Sequence, residues 1–513
     1  MLNAHNPRYT ERLLDWEEME ETYAGERAIK LRSTVYLPPT PSMLFDGMTT
    51  GQPGRAAYEA YLQRAVFPGE VKHAVEGLIG IMHRKQAQIE VPERMRPMLE
   101  RMTVDGEDVH TLLRKINEAQ LVTGRMGLLL EIPDGVGPDK LPFVATYAAR
   151  TVINWSTWRP ENSHLEYDVV VLDETSDVQT PNLDWRREEK YRVLAMAQSM
   201  SRRGAFPQIT QATGYVAGVA TSADPNSAAF TQPSLAGRTL DKIPFVMANA
   251  IDVHPDPSAP PLLGLADLCL AIYRGEADYR TALFMQGQET LVIIGLDDVT
   301  AEEEKTETRV GAGAVLYLPD GGDAKYVGVT ADGLEAMRKG LDADYMKAGE
   351  RGMRLMDTSE GGGQQSGDAL RQRIAAKTAS LVTIAEAGGA ALQTILRHAA
   401  VLLGEDPEKV TVAPNKDFAN EIMTGRELME WAQAKQMGAP ISWRSVHEII
   451  KLREASKMTF EEEQAEIELE EPVGVPSSTG AGGPPNGGRP PQAGPGQSTP
   501  RGGARQQSRP PNS

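Results

Sequence analysis

Gly124-Arg125-Met126-Gly127 has the small residues and the cation of a phosphate cradle, and Asp252-Val253-His254-Pro255-Asp256 has the donor types of a metal site. Neither spacing suits that chemistry. A cradle sets its glycines ahead of a helix, whose first amides hold the anion; these follow a predicted helix and precede a predicted strand. The Asp/His cluster is embedded among Pro255, Pro257, Pro260 and Pro261 with no second ligand group, so it reads as a polar loop. Gly311-Ala312-Gly313 is a weaker glycine pair still. Asp342 and Asp344 lie two apart on a predicted helix and so diverge. The eight histidines form no HExxH or HxH pattern, and no serine sits in a GxSxG elbow. The expectation is no catalytic residue, no cofactor, no metal and no enzymatic activity.

One stretch survives that filter. The run Asp357–Gly367 (DTSEGGGQQSG) has four glycines in eleven residues and cannot propagate a helix. Gly361, Gly362, Gly363, Gln364, Gln365, Ser366 and Gly367 make it an uncharged loop rich in hydrogen-bonding groups. As a plain connection it needs no function; as a contact for a sliding polymer it would bond transiently without pinning charge.

Long helical patterns flank this loop. Leu262, Leu265, Leu268, Cys269, Ile272 and Tyr273 recur at helical spacing, in a pattern that reaches Met285. Leu291–Gly295 and Ala314–Leu318 read as strands around the charged connection Asp297–Arg309. A second helix is expected over Leu334–Met356 and a third over Ala369–Leu403, roughly 50 Å long if unbroken. Helices of that length suit a stalk or a wall shared between subunits. The apolar positions of 262–287 and 369–403 are expected to exceed what one protomer can cover.

The rest is mixed. Residues 1–35 read as one acidic amphipathic helix and Tyr36–Gly54 as a Pro/Gly-rich excursion. Helices are expected at Ala56–Val66, Glu70–Met82 and Asp108–Val122. Strands are expected at Met126–Ile132, Phe143–Tyr147, Val152–Trp155, Tyr167–Leu172, Tyr191–Met196 and Ile243–Met247, with Ser199–Gly237 as a loop or hairpin insert. Beyond the long helix come a short strand, Val410–Ala413, and helices over Arg426–Gln436 and Ser445–Ala455. Glu461–Glu471 is strongly acidic. This order is α+β, without regular strand–helix alternation.

The net charge of −18 combines a tail, 472–513, with four arginines and no acid, and a body, 1–471, at −22. So acidic a body disfavours tight non-specific duplex binding, which needs Lys and Arg on phosphates. The tail from Ser477 holds nine Gly and eight Pro in 37 residues with no large apolar side chain, and is expected to be disordered and dispensable for assembly. A lone cysteine excludes a disulfide framework, points to synthesis in a reducing cytoplasm, and is expected as a small buried side chain. No apolar run reaches the length of a bilayer span, and no signal-peptide pattern opens the chain.

Several segments in order resemble the portal proteins of tailed phages, in particular a family long catalogued only as a domain of unknown function. They are Tyr58–Pro92 (YEAYLQRAVFPGEVKHAVEGLIGIMHRKQAQIEVP), Leu121–Pro133 (LVTGRMGLLLEIP), Arg150–Trp155 (RTVINW), Glu188–Met196 (EEKYRVLAM), Asp241–Val246 (DKIPFV), Pro260–Leu283 (PPLLGLADLCLAIYRGEADYRTAL) and Ser366–Leu381 (SGDALRQRIAAKTASL), followed by Asp417-Phe418 and Gly438–Ile441. The resemblance spans roughly 15–460. Gly361–Gly363 and Gln364-Gln365 stand where the family commonly has a threonine-serine-glycine run, and Tyr36–Gly54 is longer than usual.

The resemblance implies a portal fold: an N-terminal helix and excursion (1–55), an α/β wing (56–260), a stem helix (261–287), a clip (288–329), a tunnel helix and tunnel loop (330–368), wing and crown helices (369–471) and the tail (472–513). It implies a twelve-subunit ring at the capsid vertex of the virion, assembled in the host cytoplasm, through which DNA is packaged and ejected. Implied partners are other copies of the chain, the terminase large subunit, the major capsid and scaffold proteins, the head–tail adaptor, and double-stranded DNA held weakly in the channel, with no membrane. The tunnel-loop assignment falls on Gly361–Gly367. Rival readings are another virion head component, such as a minor capsid or adaptor protein, and a packaging-associated enzyme.

Overall fold

A computed structural model describes residues 1–133, 141–159, 165–198, 214–222, 224, 228–235, 237–286, 290–294, 323–327, 331–353, 367–416, 418, 429, 433, 437, 442–452 and 458–469. The chain divides into two compact units, Met1–Asn420 and Glu421–Ser513. The α+β class expected from the sequence is observed.

The first unit opens with α1 (Pro7–Ala24) and α2 (Glu26–Leu31). Asn6 caps α1 by accepting from the Arg8 amide, with Pro7 at the first helical position. The single helix expected over 1–35 is therefore two, because Gly25 takes φ +94° and ends the first. The excursion holds a short helix, α3 (Pro41–Phe45), before α4 (Pro53–Arg64) and α5 (Glu70–Met82). After β1 (Gln88–Glu90) and α6 (Arg96–Glu100), α7 (Val109–Val122) is capped by Asp108, whose carboxylate accepts from the Thr111 amide at 3.1 Å. Gly124, at φ +79°, then reverses the chain into β2 (Arg125–Glu131).

β3 (Phe143–Tyr147) pairs with β2; β4 (Val152–Trp158) and β5 (Glu166–Asp173) form the next hairpin. β6 (Ser176–Gln179) and β7 (Trp185–Glu188) follow as a second, separate ribbon before β8 (Tyr191–Met196), which pairs back on β5. β9 (Tyr215–Ala220) and β10 (Ala229–Thr231) extend the sheet to five antiparallel strands in the order β10-β9-β8-β5-β4. The low-complexity insert thus contributes a strand hairpin to the main sheet, with 199–213 outside the described residues. β11 (Phe245–Asn249) lies on the other side of β2, Phe245 opposite Leu129 and Asn249 opposite Arg125.

Three long helices follow: α8 (Leu263–Gln286), α9 (Ala331–Met353) and α10 (Gly367–Leu403), the first two separated by β12 (Thr290–Ile294) and β13 (Asp323–Val327). β12 pairs antiparallel with β13, Leu291 opposite Tyr326. The expected strand Ala314–Leu318 lies outside the described residues. β14 (Thr411–Ala413) returns to pair with β1, Ile89 opposite Val412, which ties the end of α10 to the segment after α5.

The core has three parts. Tyr58, Val71, Leu78, Leu265, Cys269, Tyr273 and Ile384 pack where α4, α5, α8 and α10 meet. Trp16, Trp155, Val170, Val193 and Phe245 fill the face of the main sheet under α1. Leu112, Ile116, Leu128, Leu392, Ile395 and Leu396 join α7, β2 and α10. Over 379–403 this corrects the expectation of surplus apolar surface for a neighbour, since Leu381, Ile384, Leu392, Ile395, Leu396 and Leu403 are buried within one protomer. Ala379–Leu403 is also long and apolar enough to cross a membrane, contrary to the sequence reading, but 56% of its apolar window is buried in the protein, as in a core helix. Cys269 is buried as expected, and burial pushes its thiol up to about 12.

In the second unit, α11 (Trp443–Leu452) and α12 (Phe460–Leu469) pack as a short helical hairpin through Val446, His447 and Phe460. Glu461, Glu462 and Glu463 occupy the first turn of α12, where the helix dipole favours acids. Most of α12 is exposed, as its acidity suggests.

Candidate functional site

The arrangement that separates this chain from an ordinary α+β core is the α8–α9 pair. α8 is anchored at its start: Leu265, Ala266, Cys269, Leu270, Ile272 and Tyr273 are buried, and none of residues 278–285 is. α9 runs antiparallel to it. Arg351 Nη1, near the end of α9, donates to the Gly264 carbonyl at 2.6 Å, and Tyr345 Oη donates to Glu276 Oε1 at 3.1 Å midway. Gly275 lets the two helices close on one another, for a Cβ there would lie 2.9 Å from Leu341 Cδ2. Glu276 also accepts from Arg280 Nε at 2.6 Å, and Tyr61 of α4 donates to Asp278 at 2.6 Å. Burial first, then that bond, pushes the Tyr61 hydroxyl well above its ordinary range.

Beyond this anchor α8 becomes more exposed. Leu283, Phe284 and Met285 are 41%, 41% and 54% exposed, although Arg64 stacks on the Phe284 ring at 3.7 Å. The β12–β13 pair continues from this far end. Glu276, Arg280, Arg338, Asp342 and Tyr345 line a shallow polar cleft along the seam. α9 carries five acids and four bases, paired along its exposed face as Arg338–Asp342, Lys339–Glu335 and Lys347–Asp344. No basic face for phosphates results.

At the base of the pair, α1 meets α8 through two carboxyls. Burial, then the charge of Asp267 and a hydrogen bond between the two groups, pushes the Glu18 carboxyl up to about 7.

The other sequence candidates resolve plainly. Asp252, His254 and Asp256 form a turn built around Asn249, whose Nδ2 donates to Asp252 Oδ1 at 3.0 Å, to the His254 carbonyl at 2.6 Å and to the Asp256 carbonyl at 3.0 Å. No group of three or more metal-ligating side chains occurs among the described residues. Gly361–Ser366 and the 311–313 glycines lie outside them, while Gly367 begins α10. Arg125 is no phosphate ligand. Its guanidinium is fully buried, with Nη2 donating to the carbonyls of Ala149 (2.8 Å) and Val152 (3.1 Å) and the rings of Trp16 and Trp155 at 4.3 and 4.9 Å. Burial pushes it down to about 9, still charged at neutral pH.

The sequence reading missed the β6–β7 ribbon. Its turn, Thr180-Pro181-Asn182-Leu183-Asp184, has the right residues at Pro181 and Asn182, but the flanking strands lack apolar alternation. Leu183 sits at φ +67°, a left-handed position that costs a side chain about 1–2 kcal/mol and usually goes to glycine. The ribbon's root is firm: the Glu174 carboxylate takes Arg192 Nε at 2.6 Å, Tyr147 Oη at 2.8 Å and Lys190 Nζ at 3.1 Å. Burial opposes the Glu174 charge, but Arg192 and these bonds outweigh it and hold the carboxyl below its ordinary range.

Residues 261–402 match a family described as a domain of unknown function (DUF4055). No curated protein matches. Three solved assemblies contain chains similar to this one: the virion of a native gene transfer agent particle (13% identity, TM-score 0.39, 74% of this chain and 89% of that one), the neck of the native particle computed with C12 symmetry (14%, 0.35, 76% and 92%), and the neck of the empty particle computed with C6 symmetry (14%, 0.34, 80% and 92%).

Proposed function

We propose that this protein is a phage portal: a ring at the capsid vertex that conducts DNA during packaging and ejection, and on whose projecting end the terminase and later the head–tail adaptor dock. The observation that carries the reading is the antiparallel pair α8–α9, with the β12–β13 strands between the two helices in the chain. It occurs in the chain order that the ordered resemblance of Tyr58–Leu381 to portal proteins requires for stem, clip and tunnel helix. The charge distribution supports it. Paired surface charges on α9 and a −22 body let a duplex slide, since each Lys or Arg held against a phosphate adds to a salt-dependent grip. In this reading the protein does no chemistry, and Gly361–Gly367 lines the narrow part of the channel.

The test has two arms. Sedimentation of the wild-type protein at micromolar concentration should show a closed ring; a monomer or a two-fold dimer overturns the proposal. In a packaging reaction, Gln364→Lys combined with Gln365→Lys should leave the ring's mass unchanged and slow DNA entry. Normal packaging by that variant removes the loop from the channel.

A further inference from the structure

The α11–α12 hairpin carries an apolar groove of about 570 Å³, lined by Trp443, Val446, Ile450, Phe460, Gln464 and Ile467. That is the size of a ligand pocket rather than of a packing flaw. Trp443 is 52% exposed and Ile467 62%, so the groove opens to solvent. One side is aromatic: the His447 and Phe460 rings meet edge to face at 5.5 Å, and Trp443 lies one turn before His447 on the same face of α11. The rim is acidic. α12 carries five glutamates and no base, and α11 two bases and one acid, a net −4 for the two helices. Glu463 lines the groove, and Glu461, Glu466 and Glu468 flank the lining face of α12.

We propose that this groove receives the Arg489-Pro490-Pro491 segment of the same chain, with the proline rings on Trp443 and Phe460 and the arginine against the glutamates of α12. Three observations select the occupant. An aromatic-lined groove suits a polyproline II segment, whose extended form is already set, so little entropy is lost on docking. The stretch 472–513 holds four arginines and no acid, opposite in sign to the hairpin, whereas the hairpin of a second copy would bring −4 against −4. The segment is also tethered. It lies 20 residues beyond Leu469, and a Gly/Ser-rich linker of that length spans roughly 25 Å, against about 15 Å for the length of α12. A free partner gives up its translational freedom to bind, and a tethered segment does not. The second such motif, Arg509-Pro510-Pro511, is twice as far along the chain and so at lower effective concentration. Docking of this kind covers the groove within one chain and is independent of ring formation.

The experiment uses the full chain with Gln464→Cys, in the groove, or Ala465→Cys, equally exposed on the far side of α12, each combined with Gln492→Cys beside the motif. The native Cys269 is buried and does not compete. Disulfide formation under mild oxidation is timed and assigned within or between chains by mass spectrometry. The Gln464→Cys pair should close roughly fivefold or more faster than the Ala465→Cys pair, because docking raises the concentration of one thiol at the other. Arg489→Glu should remove that advantage, as should Trp443→Ala, whose side chain is exposed enough to be lost without unfolding the hairpin. Raised salt should reduce it. Equal rates for the two pairs overturn the proposal, as does an advantage unchanged by both Arg489→Glu and Trp443→Ala. Cross-links found only between chains give the groove to a neighbouring copy and overturn the same-chain occupant. Equal rates, with the Gln464→Cys thiol shielded from alkylation only by an added head protein, give the groove to that protein.

Discussion

Gly275 of α8 stands against Leu341 of α9, with room for a hydrogen and little more: a Cβ at 275 would meet Leu341 Cδ2 at 2.9 Å. Helices at such contacts approach as closely as their smallest residues allow. The atom in the way is the free end of a leucine, which can rotate. Gly275→Ala should therefore be close to neutral, the crowding offset by about 1 kcal/mol of helix propensity. Gly275→Leu cannot be accommodated by one rotamer change and should cost about 1–3 kcal/mol. Thermal melts of the two variants check this, and equal midpoints would mean that the helices do not close here.

The Glu18–Asp267 pair makes the α1–α8 contact sensitive to pH. A carboxyl whose folded value lies near 7, against an ordinary 4.5, binds its proton more tightly in the native state. Stability should therefore fall as pH rises from about 4.5 to 7 and level off above that. The site is only half buried, so solvent screening limits the effect to on the order of 1 kcal/mol. Glu18→Gln should melt higher than wild type at pH 8, match it near pH 4.5, and flatten the curve between. An unchanged pH profile would show that Glu18 does not carry it.

Elements with one buried face were readable from the residues alone. α5 was found at its observed limits because Pro68-Gly69 breaks the chain before it and Val71, Val75, Leu78 and Met82 hold helical spacing. β3 and β8 also match to the residue. Exposed or distant pairings were not readable. β6, β7 and β13 (SDVQ, WRRE, DAKYV) lack the alternation that betrays a half-buried strand. The β1–β14 pair joins segments at opposite ends of the unit, and no local pattern encodes a partner. α8 and α9 were legible as long helices. Their antiparallel closure through Gly275, Tyr345 and Arg351 needed coordinates, because i to i+4 spacing names a face and not its neighbour.

Arg125 shows the same limit at one residue: its place between helix and strand argues in the sequence against an anion ligand, but only the fold shows it to be a core side chain. Two effects compete there. Burying a cation without a carboxylate partner costs several kcal/mol, and replacing such an ion by an apolar side chain of similar volume is often neutral or better. Against that stand the bonds from Nη2 to the Ala149 and Val152 carbonyls, at about 1–3 kcal/mol for each acceptor that loses its partner, and two indole rings that stack on its charge. These terms nearly cancel for Arg125→Met, which fills the volume, so its melting midpoint should stay close to wild type. Arg125→Ala loses the same bonds and also opens a void between Trp16 and Trp155, so it should be about 2–4 kcal/mol less stable than the methionine variant. Arg125→Lys keeps the charge but lacks the guanidinium plane that stacks on the two rings, so it should fall below methionine as well. Thermal melts that rank Lys above Met would mean the charge itself is what the site requires, and equal Met and Ala midpoints would mean that the space between the two tryptophans closes without it.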